Sequence, residues 1–358
     1  MYSAIERLTI SPSEKLVVMP LTRVLIEDIT YIGQLTIFPP GELDILELQS
    51  DTNLVQSGDQ HRLAGTYLEG QDLRLAQTLV TGFDVNSLHA SACVCFAAEI
   101  DWDILDAASH VDDIALLSRL SAMAERSFDV LRLHYCRLDL PDTLPGLVGV
   151  WEDASLFMGA LIYCPSKKRG RLIAGKASSY STITCGIGLD LTTCSVANAP
   201  LPFEGEVSAI AVHALSLLSD AMHARNDTAK FVRVMTLLEF LGSPDEYRQW
   251  KKLKGDIACH RAKDQAHYLQ LLNQLRSFTS ADGDAGEQIG YRTLVVHHGK
   301  FLEDVLPDVN ERRKLFGELQ IYCHCVIDDM IKHREMTWNE FVELRCQFKQ
   351  QLGIQPRI

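Results

Sequence analysis

The sequence predicts an α+β protein: a mixed sheet domain over residues 1–205, followed by an all-α helical bundle over residues 206–358. Three observations carry this reading. The length of 358 residues suits two cores better than one. Up to about residue 205, short β-branched and aromatic runs alternate with turn residues, and beyond it apolar residues recur at helical spacing. Between the two textures, residues 181–203 are rich in Thr, Ser, Gly, Cys and Pro and end in Ala199, Pro200, Leu201 and Pro202, which reads as a linker.

In chain order, KLVVMP, RVLIEDITYIGQLTIF, ACVCFAAEI and FMGALIYC read as strands, the last two as apolar runs suited to burial on both faces. Pro39, Pro40 and Gly41 break the first group. Ile114, Leu117, Leu120 and Met123 stand at threefold spacing and predict a helix over residues 110–127, after which VLRLHYCRLDL returns to strand-like alternation. In the second half, EVSAIAVHALSLLSDAMHAR and TAKFVRVMTLLEFL are helical, the latter closed by Gly242 and Pro244. SPDE at 243–246 puts Pro and acidic residues at the start of a further helical run that reaches RSF near residue 278. ADGDAGEQ at 281–288 reads as a loop, ERRKLFGELQIYCHCVIDDMIKH as a long helix, and TWNEFVELRCQF as a short one whose capping box is Thr337 with Glu340.

Composition narrows the function classes. A mean hydropathy of +0.01 leaves no excess for lipid, no apolar stretch reaches the roughly 18 to 20 residues of a spanning helix, and the N-terminus lacks the order of a signal peptide. The expectation is a cytoplasmic protein with no membrane partner. A net charge of -13 argues against coating nucleic acid through bulk electrostatics. One basic segment stands out, YRQWKKLKGDIACHRAK, in which Arg248, Lys251, Lys252 and Lys254 are the candidate RNA-binding residues, with a solvated helix face as the plainer reading. Ten cysteines without a CxxC pair suit reduced thiols. Cys323, His324 and Cys325 are too close in sequence to close around one ion on a helix, so neither a metal nor a cofactor is expected.

The chemistry-bearing motif is IGYRTLVVHHG at 289–299. Its β-branched residues also allow a strand. On an α-helix, Arg292 and His297 would stand about 140° apart, an arc that an arginine side chain can curl around. A guanidinium fork suits a phosphate bidentately. A histidine takes and returns a proton near neutral pH. Together they provide a base for a ribose 2'-hydroxyl and a cation for charge developing on phosphorus.

The order of FVRVMTLLEFLGSPDE, a basic helix, a polar loop, GYRTLVVHHG and a terminal helix resembles the HEPN domain, and within it the ApeA-like group of anti-phage and toxin ribonucleases, over about residues 206–340. The family motif, Arg and His separated by four to six residues, falls on Arg292 and His297, with His298 also inside the permitted range. Its acidic position falls on Glu239 of LLEFL, which would hold the arginine. The residue after the arginine, usually Asn, Asp or His, is Thr293 here, whose hydroxyl can still donate and accept one bond. The resemblance implies a HEPN-like bundle and a metal-independent endoribonuclease working as a homodimer. Its catalytic set would be Arg292, His297, Glu239, Thr293 and His298, and its substrate RNA, with tRNA as one candidate. It also implies an effector of toxin or anti-phage (abortive infection) type, regulated by the N-terminal domain and answering to an antitoxin or a phage-derived trigger. The alternative is a non-catalytic HEPN-like protein that dimerises and binds.

Overall fold

The computed structural model describes residues 10–45, 85–108, 110–140, 143–152, 156–176, 189–191, 204–280 and 290–354. These form two compact units, residues 1–128 with 142–201 and residues 129–141 with 202–358. The class is α+β: an antiparallel sheet dominates the first unit and helices the second. Most of the predicted linker, and the ADGDAGEQ loop, lie outside the described residues.

The first unit is built on β1 (Glu14–Pro20), β2 (Val24–Leu25), β3 (Thr30–Ile32), β4 (Leu35–Phe38), β5 (Cys93–Glu99), β6 (Val150–Glu152), β7 (Leu156–Cys164), β8 (Arg169–Lys176) and β9 (Leu189–Asp190). Seven of these make one sheet in the order β3, β4, β5, β1, β7, β6, with β8 also on β7, while β2 and β9 pair in parallel. Among the described residues this half of the chain also holds helices α1 (Val85–His89), α2 (Trp102–Ala107) and α3 (His110–Tyr135). Leu16, Val17, Val18 and Met19 are all buried, which is why β1 reads as an unbroken apolar run. Leu16 and Val18 share one face with Phe38, Cys93, Cys95 and Leu161, under Val85 and Leu88 of α1. In α3 the buried stripe runs through Leu117, Leu120, Ala124 and Phe128, whereas Met123 is exposed. Threefold spacing drifts off a 3.6-residue period, and a mixed three-and-four spacing follows it. Ser121 Oγ donates to the Val148 carbonyl at 2.6 Å and Arg171 of β8 pairs with Asp113 at 3.2 Å, fixing α3 beside the sheet.

Two expectations are corrected here. VLRLHYC is the end of α3 rather than a strand. Val130, Leu131, Arg132 and Leu133 are all buried, so no solvent face marks the helical period. The strands β6 and β8 fall on stretches that the sequence left unassigned. The long helical run from residue 243 is in fact two helices, α6 (Trp250–Ala258) and α7 (Gln265–Thr279), and SPDE lies in the loop before them. Asp264 caps α7 by accepting from the His267 amide at 2.8 Å, a competing start inside the run.

The second unit also holds α4 (Glu206–Met222), α5 (Asp227–Gly242), α8 (Leu302–Val305), α9 (Val309–Lys332) and α10 (Trp338–Gln351). Helices α4, α5 and α9 pack on one another, and α6 packs on both α5 and α7. Residues 129–141 belong to this unit. Gln320 of α9 donates to the Cys136 carbonyl and accepts from the Leu138 amide, both at 2.7 Å, and Lys230 Nζ donates to the Leu138 carbonyl at 2.9 Å. The capping box at Thr337 and Glu340 is present. Cysteines 93, 95, 136, 164, 259, 323, 325 and 346, those among the described residues, are unpaired thiols, and six of the eight are buried. Among the described residues no helix is long and apolar enough to cross a membrane.

Candidate active site

Helix α5 supplies Glu239. Leu237, Leu238 and Leu241 are buried around it, which leaves the carboxylate at the edge of the apolar stripe. Its Oε1 accepts from Arg292 at 2.7 Å and from the Trp250 indole N–H at 2.5 Å. No sequence pattern marks Trp250. A largely buried indole needs an acceptor, and here that acceptor is the carboxylate that orients the arginine. Because Trp250 is the first residue of α6, the basic segment begins at the site itself. Lys251 and Lys252 follow it and are exposed. Lys254 is half-buried, with burial and then Arg276 holding its pKa below the usual lysine range, and Arg248 is paired with Glu246 at 2.7 Å.

Arg292 and His297 are joined directly: the guanidinium donates to His297 Nε2 at 3.0 Å. Residues Thr293–His297 form a turn of π-helix, in which the His298 amide donates to the Thr293 carbonyl at 3.1 Å. An i to i+5 winding stacks residues that an α-helix would splay by about 140°, so the side chains meet without the curl that α geometry demands. Because an arginine only donates, His297 Nε2 is the acceptor and the ring proton sits on Nδ1. His298 closes the turn. Gly299 at φ +67 then reverses the chain, and the Lys300 amide donates to the Leu294 carbonyl at 3.1 Å.

Two contacts fix the turn on α7. Thr293 Oγ1 donates to the Thr279 carbonyl at 2.9 Å, and Tyr291 stacks on Phe278 with ring centroids 6.4 Å apart. Thr293 therefore faces the end of α7 rather than the Arg292 and His297 pair. Burial, with Glu311 nearby, raises the Tyr291 pKa. A Cβ on Gly290 would lie 2.5 Å from the Ser280 amide nitrogen and 2.6 Å from the Thr279 carbonyl oxygen, so the turn approaches α7 only because residue 290 has no side chain. Gly290→Ala should push the turn away, lowering stability by about 1–3 kcal/mol and weakening the Arg292 to Glu239 contact. Thermal unfolding of the purified variant checks this, and an unchanged melting temperature would contradict it.

The far side of the turn is held by the start of α5. Thr228 Oγ1 accepts from the Leu302 amide at 2.7 Å and donates to Glu303, and Arg312 pairs with Asp227 at 2.7 Å. One helix thus anchors the exit of the turn at one end and the arginine at the other. The site unites a carboxylate, a fixed guanidinium and an exposed imidazole in sequence, an arrangement suited to binding a phosphodiester and moving one proton beside it. No family model, curated protein or solved structure matches the chain.

Proposed function

We propose that the helical unit is a metal-independent endoribonuclease of the HEPN type, working as a homodimer. The observation that carries this reading is the continuous contact from Glu239 through Arg292 to His297, made by three residues that the motif picked out separately. In the resting site, Arg292 occupies the lone pair of His297 Nε2. A phosphate that takes over the guanidinium releases that lone pair, so substrate binding and base exposure are coupled. The imidazole then removes the proton of a ribose 2'-hydroxyl, the 2'-oxygen attacks phosphorus, and Arg292 stabilises the charge on the phosphorane. The bond from phosphorus to the 5'-oxygen breaks, and the 5'-oxygen takes a proton back from the His297 imidazolium and leaves as a hydroxyl. Exposed Lys251 and Lys252 lie next in the chain to Trp250 and suit the flanking phosphates of the strand. An effector role in toxicity or anti-phage defence, regulation by the N-terminal unit, and an antitoxin or phage-derived trigger belong to the same reading.

Purified protein incubated with total RNA and tRNA in EDTA should cleave both and leave DNA intact, since DNA lacks the attacking hydroxyl. Activity that vanishes with EDTA and returns with magnesium would overturn the mechanism. The second copy is expected on the face of the turn, where Val296 and Phe301 are 43% and 62% exposed beside His297. A dimer burying about 800 Å² per partner would cover them. Light scattering should report a dimer that Phe301→Glu weakens, and a strict monomer at micromolar concentration would contradict a composite site. One observation favours the non-catalytic alternative: the Thr293 hydroxyl is committed to the backbone of α7. On that reading the helical unit dimerises and the N-terminal unit binds a partner, without catalysis.

A further inference from the structure

We infer that His134, His324 and Asp328 form a binding site for a divalent first-row transition metal, with Zn2+ the best fit. All three belong to the helical unit, and one ligand atom from each lies within 4.8 Å of the others. In the sequence His324 stands between Cys323 and Cys325, too close to close around one ion with it. The fold gives it instead a carboxylate one turn along α9 and a second imidazole from the last turn of α3. Residues i and i+4 share a helix face, so His324 and Asp328 aim at the same point.

The distances suit an ion better than hydrogen bonds. His324 Nδ1 and Asp328 Oδ2 stand 4.0 Å apart, beyond hydrogen-bond range. The two imidazoles lie edge to face with centroids 6.0 Å apart. An ion centred among three atoms no more than 4.8 Å apart would lie within about 2.8 Å of each, and bonds of about 2.0–2.2 Å require an inward movement of under about 1 Å.

An independent observation points the same way. His324 Nε2 donates to the Leu133 carbonyl, which places the ring proton on Nε2 and leaves the Nδ1 lone pair on the Asp328 side. Metal-ligating histidines characteristically hand their other N–H to a carbonyl or carboxylate, which fixes ring and tautomer. The carbonyl comes from the residue preceding His134, so one turn supplies both a ligand and the group that orients another.

Access agrees. His134 is exposed, while His324 and Asp328 are half-buried. The last two line a cleft of about 620 Å³ whose other charged walls are Arg137, Asp139, Arg313, Lys314 and Glu318. Two imidazoles and one carboxylate match the three-ligand pattern that leaves further positions for water or an anion.

The test uses tag-free full-length protein freed of metal by chelator and dialysed, then titrated calorimetrically with ZnCl2. One ion per chain is expected, together with a Zn2+-dependent rise in melting temperature. Asp328→Asn and His134→Ala should each weaken binding by about 10²-fold or more and abolish the thermal shift. The control Cys325→Ser should bind like the parent. Co2+ should give the intense visible bands of a four- or five-coordinate site. His134 is exposed, so its variant is expected to fold, and circular dichroism checks that it does. No binding, or binding unchanged in both ligand variants, would overturn the assignment. None of these readouts depends on RNA cleavage, and the ligands are separate from Arg292 and His297.

Discussion

Arg292→Ala and His297→Ala should each slow RNA cleavage by roughly 10² to 10⁴ while leaving the fold intact, the usual range for one electrostatic or acid–base contributor. Arg292 donates both to Glu239 at 2.7 Å and to His297 at 3.0 Å, so its loss removes the phosphate-binding charge and frees the other two residues. Arg292→Lys should rescue poorly. A single ammonium keeps the charge but loses the planar fork that reaches both partners at once. Glu239→Gln should cost less, because the amide oxygen can still accept from the Trp250 indole. His297 and His298 are told apart by the same assay: the arginine contact falls on His297, so His298→Ala should retain most activity. Activity surviving His297→Ala and lost in His298→Ala would move the base by one residue.

Arg345→Met should destabilise the helical unit by about 3–5 kcal/mol, the usual cost of breaking a buried charged network by removing one member, and lower its melting temperature by about 10 °C. Arg345 is 2% exposed and lies under Trp338 and Phe341, its Cζ 5.0 and 4.9 Å from their ring centroids. Its guanidinium donates to the Leu241 and Gly242 carbonyls at 2.7 and 3.1 Å, satisfying the last turn of the helix that carries Glu239, and to His260 Nε2 at 2.9 Å. Methionine keeps the stem and strands those acceptors. With Nε2 accepting, His260 Nδ1 donates to Asp329 at 2.9 Å. Burial first, and Arg345 beside it, push His260 down to about 4, against the opposing pull of Asp329. Because the unfolded chain binds this proton from about pH 6.5, stability should fall as pH drops from 6.5 towards 4, by about 3 kcal/mol over the window. Melting curves at pH 7 and pH 4.5 check the sign. A variant within 1 kcal/mol of the parent would contradict the role given to Arg345.

Much of the helical half was legible because its apolar stripes and caps are local: the Thr337 box and the Gly242 stop need no tertiary partner to be read. Arg292 and His297 were picked out by type and spacing together with the resemblance, and Glu239 by the resemblance alone. Their meeting was not, because it depends on a π turn held by Gly290 and Thr293 against α7. Trp250 was hidden for a similar reason, since its role comes from the acceptor it finds on another helix. VLRLHYC reads as a strand because four successive residues, Val130 to Leu133, are all buried, which hides the amphipathic period. The grouping of His134 with His324 and Asp328 is carried by packing alone. One partial signal, His324 and Asp328 at i, i+4, was present in the sequence.

The most direct test of the central claim is end-group analysis of the RNA fragments that the chelator-treated protein produces. Attack by the 2'-oxygen predicts a 2',3'-cyclic phosphate on one fragment and a 5'-hydroxyl on the other, with no cleavage at a position carrying a single 2'-deoxy sugar. Fragments ending in a 3'-hydroxyl and a 5'-phosphate, or cleavage that ignores the 2'-deoxy sugar, would contradict it.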